Sequence, residues 1–126
     1  NFNTQLGCDM EETAEMLQSL RGQNMETDEA LKAFTNQVIE FANKLKIGEI
    51  KVEVENRVDF LDAICDKTVT AVGLAVYQKM DVENGLDEVA ESNNSKFDLD
   101  GNPIFDQNMK IIKGPNYFKA NLQQYI

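Results

Sequence analysis

Met10-Glu11-Glu12-Thr13-Ala14-Glu15-Met16-Leu17 sets three carboxylates into a run of good helix formers with apolar residues at helical spacing. Read as a helix, it places Glu12 beside Glu15 and Glu11 beside Glu15, because residues three and four apart share a face. Like charges that close repel. Either the face is solvated, as charged faces usually are, or its oxygens hold a hard divalent cation such as Mg²⁺, which takes oxygen ligands and keeps waters for substrate phosphates.

Outward from this stretch, Asp9 is the expected N-cap of a first helix running to about Leu20, with Met10, Ala14 and Leu17 on its apolar side and Arg21-Gly22 as its stop. Residues 1–7 read as a polar lead-in. Thr27 or Asp28 is expected to cap a second helix, in which Leu31, Phe34, Val38, Phe41 and Leu45 form a seam for another helix, ending at Gly48. Ile47 to Val54 reads as a loop.

A third helix is expected from about Asn56 to Met80, with Val58, Leu61, Cys65, Val69, Val72 and Val76 in one stripe and apolar residues on nearly every side. Such a helix should be central and largely buried. Asp59, Asp62 and Asp66 lie along one face of it, and burying unpaired carboxylates costs on the order of several kcal/mol. Arg57 and Lys67 are near in sequence but off that face. Two acidic helical clusters therefore favour a shared metal site over a single solvated face.

Asp81 or Glu83 opens a fourth helix with Leu86, Val89 and Ala90 inward, ending at Asn93-Asn94. Beyond Phe97, Asp98-Leu99-Asp100-Gly101-Asn102-Pro103 and Asp106-Gln107-Asn108 are turn chemistry around Ile104-Phe105 and Ile111-Ile112, predicting a small hairpin or ordered tail. Asp98-x-Asp100-x-Asn102 does not open a calcium loop, since glycine stands at the fourth position and Met109 occupies the place of the terminal glutamate.

The 126 residues are expected to form one domain. Asp and Glu number 22 against 12 Lys and Arg, and the resulting charge of -10 repels nucleic-acid backbones and anionic membrane surfaces. A direct nucleic-acid binder is not expected. The chain contains no histidine, which removes Ser-His and Cys-His catalysis and leaves Cys8 and Cys65 without a partner for a zinc site. Both read as free thiols in a reducing compartment. No apolar run approaches the roughly 20 residues that span a bilayer, and no signal pattern opens the chain. The expectation is a soluble, cytoplasmic protein.

Three motifs together resemble the all-α nucleoside triphosphate pyrophosphohydrolases, the MazG-like and phosphoribosyl-ATP pyrophosphohydrolase-like group. They are Glu11-Glu12-Thr13-Ala14-Glu15, then Asp62-Ala63-Ile64-Cys65-Asp66 with Gly73 seven residues on, then Glu88-Val89 followed by Ser92-Asn93-Asn94-Ser95-Lys96. Asp100-Gly101-Asn102-Pro103-Ile104 and Lys113-Gly114-Pro115-Asn116-Tyr117 are similar to the same group's C-terminal segment. The resemblance implies an all-α, four-helix-bundle-type domain spanning residues 1–126 with a short irregular or hairpin tail. It also implies a homodimer or tetramer that hydrolyses a nucleoside triphosphate to monophosphate and pyrophosphate with Mg²⁺, or Mn²⁺ in its place. Glu12, Glu15, Asp62 and Asp66 are then the expected metal ligands, and Glu11 or Glu12 the catalytic carboxylate that orients or deprotonates water. Asn93, Lys96, Lys113 and Tyr117 are expected to bind substrate, a lysine ammonium suiting a phosphate. The group's second acidic motif is usually Glu-x-x-Asp, and Ala63 stands where its glutamate is expected. The rival reading is a non-catalytic acidic helical protein that keeps the fold and binds a basic partner.

Overall fold

Gly7 and Ala14 stand seven residues apart on the first helix, α1 (Phe2–Gln18), and both are buried against the second, α2 (Met25–Lys46). The structure, a computed structural model, describes residues 1–107 and 111–126. A Cβ on Gly7 would lie 2.7 Å from Lys46 Cγ and 2.8 Å from the Ala42 carbonyl, so at this point the helices approach as closely as a glycine permits. At the opposite end, Leu17 and Gln18 meet Leu31 and Thr35, which makes the pair an antiparallel hairpin. The residues facing inward follow alternating steps of three and four, Gly7, Met10, Ala14 and Leu17 against Leu31, Thr35, Val38, Ala42 and Leu45.

This seam differs from the predicted one. Phe34 and Phe41 remain 56% and 39% exposed, whereas Thr35, Ala42 and Leu45 are buried. The small residues of α1 bring its backbone too close for a phenylalanine to lie beneath it, so small residues of α2 occupy the contact and the aromatic rings fall to its flank. Thr35 satisfies its buried hydroxyl by donating to the Leu31 carbonyl at 2.8 Å.

The helix ends also depart from expectation. α1 is capped by Asn1, whose side chain accepts from the Thr4 N–H, so the presumed lead-in is helical and Asp9 lies inside the helix. α2 is capped by Asn24, which accepts from the Thr27 N–H at 2.8 Å, in place of Thr27 or Asp28. Asp28 instead accepts from the Gly22 N–H at 3.0 Å and pairs with Lys32 at 2.6 Å, which holds the connecting loop onto the helix. The loop expected over Ile47 to Val54 runs over residues 47–56, with the Val52 N–H donating to Asn3 of α1 at 2.7 Å.

The chain divides into two compact units, Asn1–Arg57 and Val58–Ile126. The third helix, α3 (Arg57–Tyr77), belongs almost wholly to the second unit. No residue of α3 is buried, and Val58, Val69 and Tyr77 are 76%, 69% and 89% exposed. The expectation of a central, buried helix is overturned for the single chain, because hydropathy reports a demand for burial without naming what meets it. α3 ends three residues before the predicted Met80. Lys79 takes a left-handed conformation (φ 60°) and the Met80 N–H returns to the Ala75 carbonyl at 3.0 Å, the geometry of a Schellman stop built without glycine.

The fourth helix, α4 (Val82–Asn94), is capped by Asp81, one of the two residues expected to open it, and Glu83 lies in its first turn. The tail runs back along it in the opposite direction. Gly114 lies on the carbonyls of Lys96 and Phe97, Phe118 on Ser92 and Ser95, the Asn121 N–H on Glu88, and the carbonyl of Tyr125 on the Asp81 N–H. A short 3₁₀ turn, Gln123–Tyr125, closes the run. Before it, an antiparallel bridge joins Phe105 and Ile111, with the Ile112 N–H donating to the Ile104 carbonyl at 2.8 Å, where a small hairpin or ordered tail was expected. Asn108 of the expected second turn, Met109 and Lys110 lie outside the described residues. The described fold is all-α, with four helices and no strand among the described residues.

Candidate functional site

On α1, Glu11 and Glu15 line a cavity of about 170 Å³ together with Ala14 and Gln18, facing Ile39, Ala42 and Asn43 of α2. Glu12 lies outside this lining. The three glutamates of the opening motif therefore divide, two along the groove and one on the outer surface. Glu11 is not a lone carboxylate, since Lys46 reaches across from α2 and donates to its Oε1 at 2.8 Å. The carboxylates of Glu12 and Glu15 have no hydrogen-bond or ion-pair partner among the described residues.

Lys46 was missed in the sequence, although a signal for it existed. Glu11 directly follows the seam residue Met10 and Lys46 directly follows the seam residue Leu45, and positions flanking an apolar seam are where helices exchange charges. Pairing the two seams antiparallel places these flanks together.

Asp59, Asp62 and Asp66 are all exposed along α3. This corrects the premise on which the metal reading was strengthened, because solvated carboxylates carry no burial penalty that a cation must offset. Among the described residues no three Asp, Glu or Cys side chains converge to hold a metal ion. Cys8 and Cys65 are free thiols, as expected.

The four residues predicted to bind substrate all lie at the junction between the end of α4 and the tail. Asn93 accepts from Lys96 Nζ at 2.7 Å, and Lys113 Nζ sits 4.5 Å above the centre of the Tyr117 ring. Gly114 joins them. A Cβ there would collide with the carbonyl of Phe97 and come within 2.6 Å of that of Lys96, so only glycine lets residues 113–115 cross the helix end. A lysine after a helix C-terminus also complements the negative end of the helix dipole, which is the structural role Lys96 serves in any case.

Compared with family models, with curated proteins and with solved structures, the chain matches none. Its functional reading therefore rests on its own residues.

Glu88 has a role that its motif did not suggest. Its Oε1 accepts the Asn121 N–H at 2.8 Å, so it holds the tail. Ser92, 6% exposed, and Ser95 do the same for Phe118. The second unit also carries an apolar cavity of about 250 Å³, between the end of α3, the start of α4 and the last turn of the tail, with Met80, Leu86, Leu122 and Ile126 on its walls. No helix is long and apolar enough among the described residues to cross a membrane.

Proposed function

We propose that the protein hydrolyses a nucleoside triphosphate, or a related nucleotide, to monophosphate and pyrophosphate in a Mg²⁺-dependent reaction, serves to clear nucleotide pools, and works as a homodimer or tetramer. The observation that carries the reading is the gathering of Asn93, Lys96, Lys113 and Tyr117 at one junction, in a chain whose net charge of -10 otherwise repels phosphates. The motif resemblance supplies the reaction class. Two ammonium groups and an aromatic face suit a polyphosphate attached to a base, the lysines acting as point charges and the ring as a stacking surface.

The oxygen donors Glu12, Glu15, Asp62 and Asp66 are of the class that Mg²⁺ or Mn²⁺ takes. By number they do not fit, since no three converge among the described residues. The ion enters the proposal through donor chemistry and the resemblance, and no step is derived through it. Were a divalent cation held by those carboxylates, it would supply charge neutralisation to a bound triphosphate. The chain's own contribution is to hold the phosphates with Lys96 and Lys113. The resemblance alone assigns the orienting of the attacking water to Glu11 or Glu12.

The oligomer is supported by α3, whose apolar residues stand in solvent in the single chain. A helix apolar on nearly every side belongs in a core, and none of its described residues is buried. A bundle completed by other copies would meet that demand.

Release of pyrophosphate from a panel of canonical and modified triphosphates, with and without Mg²⁺, tests the proposal. Turnover should need the ion and fall by orders of magnitude in Glu12→Gln and in Asp66→Asn, with helical content retained. Unchanged turnover in both variants removes the catalytic assignment. Exposure of all three α3 aspartates favours the second reading, an acidic binding protein, which predicts capture of basic polypeptides and no turnover on any substrate of the panel.

A further inference from the structure

Between the bridge at Ile111 and the 3₁₀ turn at Gln123 the tail has no regular backbone ladder, and such a segment keeps one course only where side chains take up its polar groups. At the end that carries Lys113 and Tyr117, two serines do this. Ser92 Oγ donates to the Phe118 carbonyl at 2.8 Å, and the Phe118 N–H donates to Ser95 Oγ at 3.1 Å. Ser95 in turn donates to the Ser92 carbonyl at 2.6 Å, so its hydroxyl is used in both directions and is fixed in orientation. Ser95 is also the C-cap of α4 and immediately precedes Lys96. One residue thus sets both the helix end from which Lys96 projects and the backbone amide that follows Tyr117.

We propose that Ser95, supported by Ser92, is a positioning residue that clasps the 113–118 strap to the end of α4 and so keeps Lys113 beside the helix end that carries Lys96, where the two would take one polyphosphate. This rests on the nucleotide reading above and adds to it the residues that order the strap. The alternative course for the strap is open solvent. There Lys113 would keep its charge but pay the ordering entropy at each binding event.

The test is calorimetric titration of the full chain with inorganic pyrophosphate, without metal. Ser95→Ala should weaken binding about tenfold, the scale of one lost hydrogen bond that fixes geometry. Ser95→Thr, which keeps the oxygen, should restore it. In the same proteins, the Phe118 amide proton should exchange slowly in wild type and Ser95→Thr and quickly in Ser95→Ala, with helical circular dichroism unchanged. Pyrophosphate binding by Ser95→Ala equal to wild type, or no binding by wild type, overturns the inference. If wild type binds pyrophosphate with this variant pattern yet cleaves no triphosphate, the clasp stands and the hydrolase reading falls. If triphosphates are cleaved and Ser95→Ala leaves KM unchanged, the reverse holds.

Discussion

Gly7 shows how one side-chain deletion sets an interface. Its missing Cβ admits the Ala42 carbonyl and the stem of Lys46, and the same approach delivers the Lys46 ammonium to Glu11. Gly7→Val should therefore cost about 1–3 kcal/mol through overpacking of the seam, measured by chemical denaturation. Stability equal to wild type would mean that the helices do not approach this closely. Glu11, Glu12 and Glu15 fall in one sequence motif, and the structure gives them three different surroundings. Glu11 is paired, Glu15 lines the groove unpaired and Glu12 lies outside it. Spacing on a helix shows which residues are neighbours, while the surroundings of each depend on the partner helix.

Among the elements, two helix starts carry a carboxylate whose titration the local fold shifts. Asp28 has its pKa lowered by the hydrogen bond from Lys32 first and the Gly22 N–H second, and Asp81 has its pKa lowered by the Asn84 side chain and backbone N–H. Because the folded-state pKa lies below the unfolded one, the stability each contributes is fully present above the unfolded carboxylate pKa of about 4. It is lost as pH falls through the lowered folded value. Denaturation at pH 7 and pH 3 should thus show a smaller acid loss in Asp28→Asn than in wild type, and parallel losses would refute the linkage. The cap at Asp81 was legible because aspartate preceded an amphipathic run. The caps at Asn1 and Asn24 were not: residues 1–7 showed no strong periodicity and Asp9 offered a cap further on, while Thr27 and Asp28 offered caps inside the start of α2. The tail's course along α4 was illegible for a different reason. It is made by single contacts of Ser92, Ser95 and Glu88 with distant backbone atoms, and such contacts leave no period in the sequence.

For the whole molecule, the unmet demand is apolar surface. The fully buried apolar residues are small apart from Leu45, while α3 exposes valines and leucines along its length. Sedimentation equilibrium at micromolar concentration should find a dimer or tetramer, with an obligate-type interface larger than the roughly 1,600 Å² of a standard complex. A stable folded monomer would overturn the assembly. The sequence by itself determined that there are four helices, that a loop follows Ile47, that the tail is a small hairpin or ordered segment, and that the thiols are free, because each follows from local periodicity, turn chemistry or residue count. Only the tertiary structure decided that small residues, not Phe34 and Phe41, form the α1–α2 seam, that Lys46 answers Glu11, and that Lys96 and Lys113 share one junction. These outcomes depend on how closely two backbones can approach, a distance set jointly by residues far apart in the chain.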